Sequence, residues 1–256
     1  NLSINFDIFN EEQSGILALP YSRILGIVGA SYGNILPLMN IGKVSNHGFE
    51  FKVRYEGKIH DKISYFAEAG TWYAMSKVKE QGEDVQAESY LYKKGNPVWK
   101  PIVLEAEGFY GVDDFDSNGK LKADLPQPQF GHVAPGDIKY KDYNGDKIVN
   151  ENDAHPVGNA TVPAWNYMFS GGVKYKGFDL SVLFQGVAQR DIYLRGASVY
   201  SFQNNGTASN LALDSWTTTN PNASYPRLST VDFSNNYRSS TFWRRNGSFL
   251  RLRNIQ

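Results

Sequence analysis

The sequence predicts an all-β chain, specifically an antiparallel transmembrane β-barrel segment with long extracellular loops. Three observations carry that expectation. Apolar and polar residues alternate over several stretches of strand length. The connections between these stretches are either very short or very long, and a chain with 14% aromatic residues still has a negative mean hydropathy. A sheet with one apolar and one wet face reads in this way, and a membrane barrel is one such sheet.

The elements follow in chain order. At 1–9, Leu2, Ile4, Phe6 and Ile8 share one face and Ser3, Asn5 and Asp7 the other. The stretch 49–56 sets Phe49, Phe51, Val53 and Tyr55 against Glu50, Lys52, Arg54 and Glu56, so its second face is fully charged. Over 63–73, Ile63, Tyr65, Ala67 and Ala69 oppose Ser64, Glu68 and Gly70. The stretch 165–175 puts Trp165, Tyr167, Phe169, Val173 and Tyr175 on one side, and 178–187 repeats the pattern with Phe178, Leu180, Val182 and Phe184. A last strand is expected over 243–255. Each alternation alone fits a soluble sandwich equally well.

Connection lengths separate the two. Short turns are expected at Gly57–Asp61 and at Lys176–Gly177, and long connections at 10–47, 76–163 and 188–241. Counting strand directions gathers the short turns at one end and the long loops at the other. Compact soluble domains rarely carry loops longer than about 15 residues; outer-membrane barrels pair short periplasmic turns with long external loops. On this reading the aromatic face meets outer-membrane lipid and the charged face lines the lumen. Six strands fall short of the roughly eight that the smallest transmembrane barrels use. Residues 1–256 are therefore expected to be part of a larger barrel, with both ends cut through strand patterns.

Composition removes other classes. Lysine plus arginine equals aspartate plus glutamate at 26 each, so no basic field is present to attract nucleic acid. Cysteine is absent, which removes disulfides, thiolate metal sites and a cysteine nucleophile. No run of about 18 apolar residues marks a transmembrane helix. His47, His60, His132 and His155 are scattered, and no metalloprotease, nucleophile-elbow or phosphate-loop motif occurs, so the chain is not expected to be an enzyme.

Residues 135–187, PGDIKYKDYNGDKIVNENDAHPVGNATVPAWNYMFSGGVKYKGFDLSVLFQGV, add a resemblance. They resemble the SusC/RagA family of TonB-dependent outer-membrane transporters, in which a GDIKYKDxNGDGxI loop precedes a GNxxPxxxYG strand and a YKGFDLSVFFQG hairpin. NIGKVSNHGFEF at 40–51, WTTTNPNASYPRL at 216–228 and FWRRNGSFLRLRN at 242–254 agree in the same order. The resemblance implies a late-middle section of a 22-stranded barrel in the bacterial outer membrane, with the plug, early strands and last strands outside residues 1–256. It further implies TonB-energised uptake of an oligosaccharide or peptide. The implied partners are a SusD-like surface lipoprotein, the TonB–ExbB–ExbD complex acting through the plug, and a second copy of the transporter–lipoprotein pair in a dimer. The reading from another class is a soluble, calcium-stabilised carbohydrate-binding β-domain.

The stretch DYNGDKIVNEND at 142–153 carries the metal expectation. A 12-residue calcium loop takes oxygens from positions 1, 3, 5, 7, 9 and 12. Here these are Asp142, Asn144, Asp146, Ile148 through its carbonyl, Asn150 and Asp153, which would hold a structural Ca2+ and stiffen an external loop. Lys147 occupies the sixth position, where glycine is usual, and Asp153 is shorter than the usual glutamate. The other reading is an Asx-rich turn whose side chains cap backbone N–H groups. Asp114, Asp116, Asn118 and Gly119 begin similarly but reach Leu125 at the twelfth place and read as a turn. Loop aromatics Tyr90, Tyr92, Trp99, Tyr200, Phe202 and Trp216 either stack on sugars or a partner, or pack the loops together. Asn220-Pro221 and Tyr225-Pro226 fix the course of one loop.

Overall fold

The computed structural model describes residues 1–20, 37–60, 62–230 and 234–256. Strands β1 (Leu2–Ala18), β2 (Met39–Ile59) and β3 (Ile63–Glu80) come first. The connection after them holds six short strands: β4 (Ile102–Val103), β5 (Ala106–Phe109), β6 (Gln127–Pro128), β7 (Ile138–Tyr140), β8 (Ile148–Val149) and β9 (His155–Pro156). The hairpin β10 (Trp165–Tyr175) and β11 (Phe178–Ala188) follows, then β12 (Asp191–Tyr193), β13 (Arg244–Asn246) and β14 (Phe249–Ile255). The long strands form one six-stranded sheet in the order β1-β2-β3-β10-β11-β14, with every neighbour antiparallel. It is an up-and-down meander, and the short strands pair only among themselves in the long connections.

Register carries one apolar row straight across the sheet. Ile4 faces Val53, Val53 faces Ala69, Ala69 faces Phe169, Phe169 faces Phe184 and Phe184 faces Leu252. Because side chains alternate with period two, one matched row places every second residue of each strand on the same face. Ile4 is 58% exposed, Phe169 50% and Leu180 57%, so no second layer of the described residues covers this face. A soluble sandwich would need one there.

Aromatic rings border the apolar face at both ends. Phe49, Tyr73 and Trp165 cluster with ring centroids 5.2 to 6.0 Å apart toward the long-loop end, and Tyr55 meets Tyr65 at 6.0 Å toward the turns. The 11-residue β10 runs from Trp165 in the first border to Tyr175 at the second. Ten steps of about 3.3 Å, tilted by about 40°, give an apolar height near 25 Å, the band that transmembrane barrels present to lipid. Where Tyr167 lies across β11 the partner is Gly186, since a Cβ there would sit 2.4 Å from its ring.

The turn between β10 and β11 has two residues, Lys176 at φ 45° and Gly177 at φ 86°. Positive φ at both positions is the twist that a two-residue hairpin of this hand needs. The turn between β2 and β3 falls where expected, although its Asp61 lies outside the described residues, as does most of the connection between β1 and β2.

Three strands run further than the alternation predicts. β1 reaches Ala18, β2 starts at Met39 and β3 reaches Glu80, which shortens the expected long connections. The extensions continue the ladder with polar side chains, such as Lys43 Nζ 2.8 Å from a Glu12 carboxylate oxygen. Above the apolar band there is no lipid to impose alternation, so the period that marks the lower halves disappears while backbone pairing goes on. The stretch expected as one strand at 243–255 is also two, β13 pairing with β12 and β14 with β11. Gly247 separates them, a Cβ there meeting Arg190 and Ile192 at 3.0 to 3.2 Å.

The two faces give opposite outcomes for one substitution. In the full-length protein, Phe169→Arg is expected to cost about 2–4 kcal/mol of barrel stability in lipid. Ser170→Arg, one residue on and facing the other way, should cost far less. Unfolding titrations in bilayers check this, and equal losses would refute the assignment of faces.

Candidate functional site

The hydrophobic core lies in the external connections, not beneath the sheet. Leu104, Phe130, Ile138, Tyr140, Val149, Tyr225 and Trp243 are buried together there. Trp243, 2% exposed, sits with ring centroids 5.2 Å from Tyr200, 5.8 Å from Tyr225 and 4.8 Å from Phe242. Burying such rings supplies roughly 1.5–3 kcal/mol each before entropy is charged against it. It gives two long connections a shape of their own.

A polar clamp joins the connection after β3 to the one after β12. Asp137, fully buried, accepts from Arg227 at 2.7 and 3.0 Å, from the Asn236 amide at 2.8 Å and from the Ala134 backbone N–H at 2.8 Å. Asn236 accepts in turn from the Ile138 N–H at 2.8 Å, and its carbonyl takes the Trp243 indole N–H at 2.8 Å. The Tyr140 hydroxyl donates to the Asn235 carbonyl at 2.7 Å. Burial pushes the Tyr110 and Tyr140 hydroxyls well above the ordinary phenol value, so Tyr140 stays a neutral donor to Asn235.

The segment with the calcium-like spacing leaves β7 and passes through β8, anchored by the fully buried Val149. Its side-chain oxygens meet backbone N–H groups. Asp142 accepts from Gly145 and Lys147, each at 2.8 Å; Asn144 accepts from Asp146 at 3.0 Å; Asp146 accepts from Ile148 at 2.7 Å. Asn150 accepts from Asn152 at 2.8 Å. Asp153, fully buried, accepts from Tyr143 at 2.8 Å and Asn150 at 2.7 Å. Lys147 takes φ 65°, the left-handed turn that the sixth place of a calcium loop needs and that glycine usually supplies. Among the described residues no three acidic or histidine side chains converge as metal ligands, so the Asn144 and Asn150 amides and the Ile148 carbonyl would have to complete any shell. At the second acidic stretch Asp116 accepts from Asn118 and Lys120 at 2.8 and 2.9 Å, a turn as expected.

Of the loop aromatics, Tyr200 and Trp216 are buried and pack the connections together. Tyr90 is half-buried, with its hydroxyl 2.6 Å from the Asn152 carbonyl and its ring edge-on to Tyr143 at 4.8 Å. Burial, then the neighbouring Glu88 carboxylate, pushes this hydroxyl up to about 12. Tyr92 and Phe202 are also half-buried; Trp99, 71% exposed, alone of the six offers an open ring. The proline-bearing loop closes on Asp214, which accepts from Ser224 at 2.8 Å and Asn220 at 3.0 Å. These bonds hold its carboxyl below the usual range.

The face opposite the apolar one is polar. Glu68 receives Lys52 at 3.1 Å and Arg54 at 3.0 Å, and the Arg54 guanidinium lies 4.2 Å from the Phe66 ring centroid. Toward the turns an open groove of about 470 Å³ is lined by Arg54, Glu56, Lys58, Phe66 and Lys174. Together these groups make a charged, wet wall.

A sheet with lipid-type borders on one face, a polar wall on the other and folded loops at one end is a section of a transmembrane barrel. No protein-family profile matches the chain. The TonB-dependent receptor P26 of Formosa agariphila is 26% identical over 234 residues, covering 86% of this chain and 22% of the relative. The TonB-dependent receptor P3 of the same organism is 21% identical over 240 residues, covering 85% of this chain and 22% of the relative. In fold, a structure of the RagAB peptide transporter aligns with a TM-score of 0.63 at 16% identity, over 99% of this chain and 26% of that one. The RagAB peptide importer in its closed-closed state aligns at 0.65 with 17% identity and the same coverage. The expected resemblance to a section of a SusC/RagA-type TonB-dependent transporter is thereby borne out. This chain spans 22% of the length of the two curated relatives.

The clamp gives a direct expectation. Arg227→Ala leaves a buried carboxylate unpaired and should cost about 3–5 kcal/mol within the loop layer. Amide exchange in the full-length protein should accelerate over 137–140 and 235–243 while β10 and β11 stay protected. Unchanged exchange there would remove the clamp from the account.

Proposed function

We propose that residues 1–256 form part of the barrel domain of an outer-membrane importer of the SusC type, in which they supply wall and external loops. Uptake of an oligosaccharide or peptide would be energised by TonB–ExbB–ExbD through a plug region. A SusD-like surface lipoprotein would act with it, and the transporter–lipoprotein pairs would assemble as a dimer. The observation that carries this reading is the continuous apolar row from Ile4 to Leu252, backed by a charged wall and aligned with the barrel of a peptide transporter. Transport needs no covalent step, and the relatives are named as receptors, which supports a non-enzymatic role.

Deleting the full-length gene in its own bacterium is expected to abolish uptake of one class of labelled oligomer, peptide or glycan. Collapse of the proton gradient should have the same effect. Uptake of every oligomer tested at the undiminished rate, or recovery of the protein from the soluble fraction, would overturn the proposal.

The second part of the reading is a structural calcium ion held by Asp142, Asn144, Asp146, Ile148, Asn150 and Asp153. The left-handed turn at Lys147 supports it. Because the Asx bonds already satisfy the backbone, the ion would stiffen a loop that is folded without it. Restoring calcium to chelator-treated full-length protein should slow amide exchange over 142–153, and Asp146→Ala should abolish that response. Exchange that ignores calcium assigns the segment to backbone capping alone.

A further inference from the structure

On the polar wall, cations of the earlier strands meet acids, Arg54 also reaching Glu56 at 2.6 Å, with Lys58 near the turns the exception among the described residues. Lys52 and Arg54 share Glu68, and Lys174 lies 2.7 Å from Asp179. Strand β14 departs from this pattern. Arg251 stands opposite Gln185 in register, on the face away from Leu250 and Leu252. Arg251 and Arg253 both donate to the single Oε1 of Gln185, at 3.3 and 2.7 Å. Neither is ion-paired among the described residues.

Two guanidinium groups brought to one neutral oxygen repel each other and gain no opposite charge in return. Each side chain carries five N–H donors, so most of the donors remain unspent. The Arg251 guanidinium also lies 5.5 Å from the Phe249 ring centroid, which limits its swing. A restrained pair of planar forks with spare donors is the arrangement that recognises carboxylate or sulfate in bidentate fashion. Among the described residues the wall acids without an ion pair are remote: Glu50 on β2 lies about 19 Å of sheet from β14, and Asp7 and Glu11 on β1 about 24 Å.

We propose that Arg251 and Arg253, with Gln185 between them, form an anion-binding subsite on the lumenal wall that takes the carboxylate of an acidic oligomer. The inference rests on the import reading and narrows it to substrates that carry negative charge, as uronate units or acidic side chains.

The test is calorimetric binding to the full-length protein in detergent, which needs no energised transport. The probes are tetragalacturonate and tetraglutamate, with maltotetraose and tetra-alanine as neutral counterparts. An acidic tetramer is expected to bind more tightly than its neutral counterpart, with salt weakening it. Arg251→Gln with Arg253→Gln should weaken that binding by about tenfold or more and leave the neutral probes unchanged. Which acidic tetramer responds distinguishes a glycan from a peptide source. Equal binding of acidic and neutral probes, or of none, refutes the subsite. So does a double variant that keeps its acid affinity but melts earlier, because the arginines would then be pairing with carboxylates elsewhere in the barrel. Uptake that persists in any of these cases leaves the import reading standing.

Discussion

Hydrocarbon cannot hydrogen-bond to a peptide group, and the sheet is organised around that fact. Every strand that crosses the apolar band must give its N–H and C=O groups to a neighbour, and consecutive pairing is the topology that achieves this with the shortest turns. The order β1-β2-β3-β10-β11-β14 is that solution, with the remaining strands kept out of the sheet. Once the backbone is paired, side-chain period two does the rest: one face of each strand meets lipid and the other meets water. A single residue of slip anywhere would turn Phe169 inward and Ser170 outward, which is why the register is tight through β10 and its neighbours.

The same arrangement leaves the external connections without support from below. A lipid-facing wall has no core beneath it, so segments this long must build their own or lose much of their order to chain entropy. They do so by pooling apolar residues from two connections around Trp243 and Ile138. The pooled core could shear along its interface, and the Asp137–Arg227 pair with Asn235 and Asn236 stands across that interface. A buried pair of this kind is weak as net stabilisation, but losing either partner is expensive. Its physical effect is therefore to fix which residues of one connection meet which of the other.

Charge on the polar wall is distributed unevenly. Around Glu68 the two cations Lys52 and Arg54 are balanced by Glu68 and Glu56, giving a locally neutral patch. Around Gln185 they do not. In a narrow channel such unscreened charge is felt more strongly than on an open surface, because low-dielectric walls focus the field.

The lower halves of the strands were legible in the sequence because lipid on one side and water on the other write a period of two into the residues. The stretch 165–175 could be read to the residue for that reason. The upper parts of β1, β2 and β3 carry no such pattern, since water bathes both faces there and only backbone pairing continues. The spacing of oxygens at 142–153 was visible too, but their use as backbone acceptors depends on φ at Lys147 and on the burial of Asp153. Asp137 and Arg227 lay within stretches that carry the resemblance, but nothing local in the sequence signalled that they pair with each other or meet Asn235 and Asn236. Arg251 and Arg253 were visible only as part of a strand. The sequence by itself determined the class of fold and the face taken by residues in the lower halves of the strands, because local periodicity there records the solvent on either side. Tertiary structure alone decided which distant side chains meet, because a buried clamp or a shared acceptor depends on contacts between segments that no local pattern encodes.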